Sequence, residues 1–227
     1  MGSPATLTAS SMPGASEMEA SHVEIMRAIA EDLMDLPMVL KGGTARSLCY
    51  GLDRFSEDLD FDAPKKFNLA GRVERVLSRF TQESRIKVVK DTATVQRLKV
   101  HYRKGAVDRL LKIETSFRQT PSNDSVEIRS GIKTYKVSSL INQKLAALVG
   151  RTKVRDLYDV AFLARTYRSE FSDQAVKQLT DMLADESVLE GRFQLAFDDD
   201  STLRVELLPD LISQLTNAFT HKKNEAS

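Results

Sequence analysis

The chain has 227 residues, 41% of them apolar and 29% charged, with 33 basic and 32 acidic side chains and a net charge of +1. That length buries a real core as one large domain or two small ones, and the charge balance excludes a polycation built to coat nucleic acid. No apolar run approaches the roughly 20 residues that span a bilayer, and a single cysteine, Cys49, excludes an internal disulfide.

Residues 1–20 open with MGSPATLTASSMPGASE, which is polar and lacks the apolar stretch of a signal peptide. They read as a tag remnant and a disordered leader. With the lone cysteine and no membrane segment, this fits a cytoplasmic protein. Ser21 and Glu24 form a capping box that opens a helix with Val23, Met26, Ala30 and Leu33 on one side. Residues 38–40 read as a buried strand end. Gly42-Gly43 makes a turn, and a helix starts near Thr44, with Cys49 as a small core residue rather than a nucleophile. The next strand carries Ser56-x-Asp58-x-Asp60. Successive strand side chains point to opposite faces, so Asp58 and Asp60 project together while Leu59 and Phe61 face the core. Two adjacent carboxylates repel and lose hydration, so the pair calls for a cation. Mg²⁺ (or Mn²⁺) suits it, being held by one or two carboxylates plus substrate phosphates. The glycine turn leaves N–H groups open to a phosphate, and the following helix N-terminus adds partial positive charge.

Pro64 then breaks the chain, and an amphipathic helix runs from about Asn68 to Gln82. Strands follow near residues 86–90, 95–102 and 110–117, with a short hairpin around Ser130-Gly131. Between Arg85 and Lys104 lie seven basic residues against one acid, Asp91. Within this run the alternation from Arg97 to Arg103 predicts a strand with one basic and one apolar face. Arg97, Lys99 and Arg103 share the basic face, which is either solvated or a contact for RNA or nucleotide phosphate. On the 110–117 strand, Lys112, Glu114 and Ser116 alternate with Leu111, Ile113 and Phe117. If that strand neighbours the Asp-x-Asp strand, Glu114 joins Asp58 and Asp60; otherwise it is an exposed strand glutamate.

From Ser138 the pattern turns helical, with helices expected over residues 140–149, 153–167 and 172–184. Residues 193–200 read as a loop ending in a solvated Asp198-Asp199-Asp200 run, and a last helix is expected over 203–219, interrupted at Pro209, before a frayed tail. Lys144 sits four residues after Leu140 and four before Leu148, on an apolar stripe, so it must snorkel or find an anion. Asp156 and Asp159 share a helix face. Asp156 also suits the helix dipole, which leaves Asp159 as the preferred functional residue, orienting Lys144 or acting as a base.

The order KGGTA, RFSEDLDF, KIE and K…RDLYD over about residues 39–167 resembles the AbiEii/AbiGii-type (MenT-like) nucleotidyltransferase toxins of bacterial toxin–antitoxin and phage-defence systems. The resemblance implies an α+β fold: a polymerase-β-like mixed sheet with flanking helices over residues 21–137, then a C-terminal helical bundle over 138–221 that completes the active-site cleft. It implies that Asp58 and Asp60 hold Mg²⁺ with Glu114 completing the site. Gly42, Gly43, Thr44 and Ser56 would hold the triphosphate, and Lys144 would neutralise it. Arg46, where relatives often carry leucine, either faces the phosphates or lies on the surface. The implied reaction moves a nucleoside monophosphate from an NTP to RNA, the tRNA 3′ end, blocking translation. The implied protein partner is a cognate antitoxin. A metal-dependent nuclease, or nucleotidyl or phosphoryl transfer to a protein target, uses the same carboxylates; the intact pair argues against a non-catalytic nucleotide binder.

Overall fold

The structure is a computed structural model that describes residues 16–200, 203 and 207–220. It divides between Lys136 and Val137 into two compact units. Residues 1–15 of the expected leader and the tail from His221 lie outside the described residues.

The first unit is built on a seven-stranded sheet: β1 (Val39–Lys41), β2 (Asp58–Asp62), β3 (Glu83–Asp91), β4 (Val95–Lys104), β5 (Val107–Ser116), β6 (Val126–Arg129) and β7 (Ile132–Tyr135), in the order β3-β4-β5-β2-β1-β7-β6. The sheet is mixed. β2 runs parallel to β5 and β1 parallel to β7, while the remaining pairs are antiparallel. Its helices are α1 (Glu17–Asp32), α2 (Gly42–Tyr50) and α3 (Ala70–Leu77).

Period-two alternation divides the sheet into two chemical faces. Leu59, Ile113 and Leu98 stand in register across β2, β5 and β4, as do Leu111 and Val100, and all are buried. Asp58, Asp60, Lys112, Glu114, Arg97 and Lys99 point the other way and keep partial exposure. The edge strand β3 is exposed along most of its length and carries a register shift between Val88 and Lys90. Its charges and its bulge guard an open sheet edge against pairing with other chains. The β6–β7 hairpin turns through Ser130 (φ 52°) and Gly131 (φ 77°), two successive left-handed residues that match the twist of the strands.

Several boundaries differ from the sequence expectations. The helix expected to open at Ser21 opens at Ser16, whose hydroxyl and Glu19 form the capping box. Ser-x-x-Glu occurs twice within residues 16–24, and once the first box nucleates the helix the second falls inside it, so residues 17–20 are helical rather than leader. α3 stops at Leu77, short of Gln82.

The second unit contains α4 (Val137–Gly150), α5 (Val154–Thr166), α6 (Asp173–Leu183), α7 (Glu186–Asp198) and α8 (Leu208–Thr220). α5 packs against α4, α7 and α8 and is buried on nearly every side, as a central bundle helix must be. Residues 193–198, expected as loop, belong to α7. Asp185 caps that helix, and Leu189 and Phe193, four residues apart, turn inward. Phe193 is fully buried, which is worth about 2–3 kcal/mol of transfer free energy and outweighs the poor helix propensity of the aspartates that follow. Pro209 does not interrupt the last helix but sits in its first turn, where no backbone donor is lost.

Candidate active site

The site grows from the junction of β1, α2 and β2. Gly42 has φ +77°, and a β-carbon there would stand 2.9 Å from Asp60 Oδ2. A β-carbon on Gly43 would stand 2.7 Å from Ser56 Oγ and 3.2 Å from Arg54 Nη2. Both glycines are therefore required by close approach, and Gly42 also by its backbone conformation. Lys41 gives α2 no side-chain cap, and the first turn of the helix has no acidic residue. That leaves its N-terminal N–H groups and partial positive charge available to an anion.

Thr44 is 1% exposed. Its hydroxyl lies 2.9 Å from Ser56 Oγ and donates to the Asp58 carbonyl. It ties the first turn of α2 to the start of the strand that carries the carboxylates. Arg46 lies on the next turn and is buried, at 2% exposed, so it is not a surface residue.

On β2, Asp58 and Asp60 share a face. Parallel pairing with β5 sets Lys112 opposite Asp58 and Glu114 opposite Asp60. Glu114 therefore stands beside the Asp-x-Asp pair. Lys112 was not singled out from the sequence, although it lies two residues before Glu114 and the same alternation puts it on the same face. Its ammonium is ion-paired with Asp58 Oδ2. Arg97, opposite Glu114 on β4, donates through Nε to Glu114 Oε2 at 2.7 Å and brings Nη2 to 2.5 Å. The third acid of the run, Asp62, is tied down by Lys41 at 2.5 Å and by the Tyr135 hydroxyl at 2.9 Å.

Asp60 stands between these pairs, with no hydrogen bond or ion pair among the described residues. Burial pushes its carboxyl above the ordinary range; Lys112 opposes the shift, and Asp58 and Glu114 add to it. Burial works against the charge of Lys112, but the Asp58 carboxylate outweighs it and holds the lysine above its ordinary value.

A hard divalent cation fits this donor set by chemistry: it is all oxygen, anionic, and contains a carboxylate without a counter-ion. Among the described residues no group of three His, Cys, Asp or Glu side chains is already gathered to hold a metal ion. Two of the three carboxylates, Asp58 and Glu114, are instead paired with Lys112 and Arg97.

Behind the Asp-x-Asp strand, His22 is 2% exposed. Its Nε2 lies 3.0 Å from the Glu57 carbonyl, and Nδ1 contacts the Tyr102 hydroxyl. A carbonyl can only accept, so Nε2 carries the proton and Nδ1 accepts from Tyr102. Burial lowers the His22 pKa, which keeps this bridge neutral. Sequence reading missed it because the two partners lie far along the chain from His22.

The basic residues of β4 differ from one another. Arg97 is taken up by Glu114. Arg103 pairs with Asp108 at 2.9 Å. Lys99 has no ionic partner among the described residues, and it lies in register between Lys87 of β3 and Lys112 of β5.

The helical unit holds its own charged cluster. Lys144 Nζ is 2.7 Å from Asp156 Oδ1 and 2.7 Å from Asp159 Oδ2, and Arg151 donates to Asp156 at 2.6 and 3.0 Å. Lys144 is 6% exposed, Asp156 1% and Asp159 0%. Burial works against the charge of Asp156, but Arg151 and Lys144 outweigh it and hold its carboxyl below the ordinary value. Lys144 thus meets anions on the neighbouring helix of its own unit. Of the aspartate run, Asp198 ends α7 and Asp200 pairs with Arg155 at 2.7 Å.

Comparison with known proteins shows the family and the fold. The model of the AbiEii family, nucleotidyl transferase toxins of type IV toxin–antitoxin systems, matches residues 24–223. Among solved structures, the JHP933 protein of Helicobacter pylori is similar at 36% identity and a TM-score of 0.82, over 91% of this chain and 90% of that one. A second H. pylori chain, described as a candidate nucleotidyltransferase, has 36% identity and a TM-score of 0.79 over 90% and 93%. No curated protein matches the chain.

Proposed function

The chain belongs to the AbiEii family of nucleotidyl transferase toxins, and on that premise we propose that it moves a nucleoside monophosphate from an NTP to an RNA acceptor, the 3′ end of tRNA, and so blocks translation. The observation that carries this reading is the contact between the glycine turn and the Asp-x-Asp strand: Gly42 against Asp60, and Gly43 against Ser56. It brings anion-binding backbone and cation-binding carboxylates within one contact distance, which is what a metal–triphosphate requires.

In this account the first-turn amides of α2 and the Ser56 hydroxyl receive the β- and γ-phosphates. Thr44, whose hydroxyl is already used on Ser56 and Asp58, is a positioning residue. Asp58 and Asp60 would hold Mg²⁺ or Mn²⁺, with Glu114 completing the set. When bound, that ion supplies Lewis-acid polarisation of phosphoryl oxygens and offsets charge on the departing group. The acceptor hydroxyl gives up its proton to solvent as its oxygen forms a bond to the α-phosphorus, the bond from that phosphorus to the β-bridging oxygen breaks, and pyrophosphate leaves. Asp60, whose carboxyl is pushed up by burial and which has no counter-ion among the described residues, gains a partner when a cation binds.

Membership of a type IV toxin–antitoxin family implies an antitoxin partner. No described helix is long and apolar enough to cross a membrane. The test is pyrophosphate release from each NTP with Mg²⁺, in the presence and absence of tRNA. Release that depends on tRNA and disappears in Asp58→Ala supports the proposal. RNA shortening with no pyrophosphate would replace it by nuclease chemistry.

A further inference from the structure

The first carboxylate of the pair is not free. Lys112 faces Asp58 across the parallel β2–β5 ladder, and its ammonium is ion-paired with Asp58 Oδ2. An ammonium and a divalent cation cannot share one carboxylate comfortably, because like charges at contact distance repel. A cation arriving at Asp58 meets the ammonium already on Oδ2, and their repulsion favours Lys112 moving off.

The surroundings decide where Lys112 can go. On its own face the next residue across the sheet is Lys99, which has no ionic partner among the described residues and repels it. Glu114 is already held by Arg97 at 2.5 Å. Within the sheet face, then, the carboxylates are either taken or adjacent to the arriving cation. The Lys112 side chain is 33% exposed, so it has room to swing. An anion from outside is the remaining partner, and a nucleotide bound at the same carboxylates brings phosphate oxygens to that spot.

We propose that Lys112 is an exchangeable cation: the counter-ion of Asp58 in the free protein, and a ligand of the substrate's phosphates once Asp58 holds a divalent metal ion. The inference rests on the proposed nucleotidyl transfer site and extends it. Its consequence is thermodynamic coupling. Metal alone must break the Lys112–Asp58 pair without compensation, and nucleotide alone finds Lys112 engaged. Together, each removes the cost of the other, and linkage requires the effect to be reciprocal.

The experiment is a Mn²⁺ titration of the full chain, by calorimetry and by the electron paramagnetic resonance signal of free Mn²⁺, with and without a non-hydrolysable NTP analogue. In the wild type, the analogue should tighten Mn²⁺ binding by about 10-fold or more, within the usual range of coupling between sites. Lys112→Met keeps the stem and removes the charge. It should bind Mn²⁺ alone several-fold more tightly than the wild type, and the tightening by the analogue should be smaller than in the wild type, leaving only the part that comes from direct attraction between the ion and the phosphates. Lys112→Gln should behave the same way, which guards against a folding defect peculiar to methionine. Wild-type Mn²⁺ affinity or undiminished coupling in both variants overturns the role of Lys112. Asp58→Asn separates this from failure of the site itself. If it binds Mn²⁺ as the wild type does, the carboxylate site falls and Lys112 with it. If it loses Mn²⁺ while the Lys112 variants are unchanged, the site stands and only the exchange is wrong.

Discussion

Gly42 stands so close to Asp60 that a β-carbon at that position would lie 2.9 Å from the carboxylate oxygen. The glycine is held in the left-handed region at φ +77°, so any other residue meets both a backbone penalty and a steric one. Gly42→Ala should lower stability by about 1–2 kcal/mol for the backbone alone and displace Asp60, abolishing transfer. Gly43→Ala should push on Ser56 and Arg54 with no φ penalty, so it should cost activity more than stability. Gly71→Ala is the control. It has open space around it and lies within α3, and it should be neutral or stabilising by about 0.5–1 kcal/mol. Urea unfolding and transfer assays on the three variants check the ranking, and an active Gly42→Ala enzyme would contradict it.

The raised pKa of Asp60 has a signed consequence for stability. Burial favours its protonated form in the folded state, so the folded protein binds this proton more tightly than the unfolded chain. The corresponding stability is fully present below the ordinary value of 3.8 and is lost as pH rises through the higher folded value. Asp60→Asn removes the titration. Its melting temperature should gain on the wild type as pH rises from 3.8 towards neutrality, and adding Mg²⁺ should narrow the gap by stabilising the wild type only. A melting difference that stays flat across that range would mean Asp60 is adequately paired without metal.

Lys144, Asp156 and Asp159 form a buried triad in which one ammonium serves two carboxylates at 2.7 Å each. Lys144→Met fits the apolar stripe of α4 but leaves the Asp159 carboxylate without that cation. Breaking a buried pair by removing one partner costs about 3–5 kcal/mol. Lys144→Met combined with Asp159→Leu should recover much of the loss, since an apolar replacement of both partners is often neutral. Denaturant unfolding of the two variants distinguishes this from snorkelling, in which Lys144→Met alone would be as stable as the wild type.

These three groups of residues were legible in the sequence to different degrees. Asp58 and Asp60 share a face by strand periodicity, and the glycines precede them at short range, so the heart of the site could be read from one segment. Lys112 follows from the same alternation that pointed to Glu114. Its importance was hidden because the parallel pairing of β2 with β5 joins segments about fifty residues apart, and no local pattern encodes it. The anions that meet Lys144 lie one helix further on; helix spacing offered Asp159 as a partner, whereas Asp156, read as a helix-dipole residue, shares the same ammonium. α7 was missed because the three aspartates dominate its end, although the spacing of Leu189 and Phe193 was helical.

The basic face of β4 should contact nucleic acid unequally. Arg97 and Arg103 are engaged by Glu114 and Asp108, whereas Lys99 and its cross-strand neighbour Lys87 have no ionic partner among the described residues. Each phosphate contact to a single strand contributes roughly 0.7 to the log–log salt slope. Lys87→Gln with Lys99→Gln should therefore flatten the salt dependence of RNA binding by about 1.4, and Arg97→Gln with Arg103→Gln by less. Filter binding of tRNA over a salt series measures both, and an unchanged slope in the lysine pair would place the acceptor elsewhere.

Nucleotidyl transfer at the Asp-x-Asp strand is measured by incubation with each α-labelled NTP, Mg²⁺ and total RNA. Denaturing gels of the wild type should show label entering the tRNA band, with none for Asp58→Ala or Asp60→Ala of unchanged fold. Transfer that persists in either variant, or RNA that shortens without acquiring label, would contradict the account.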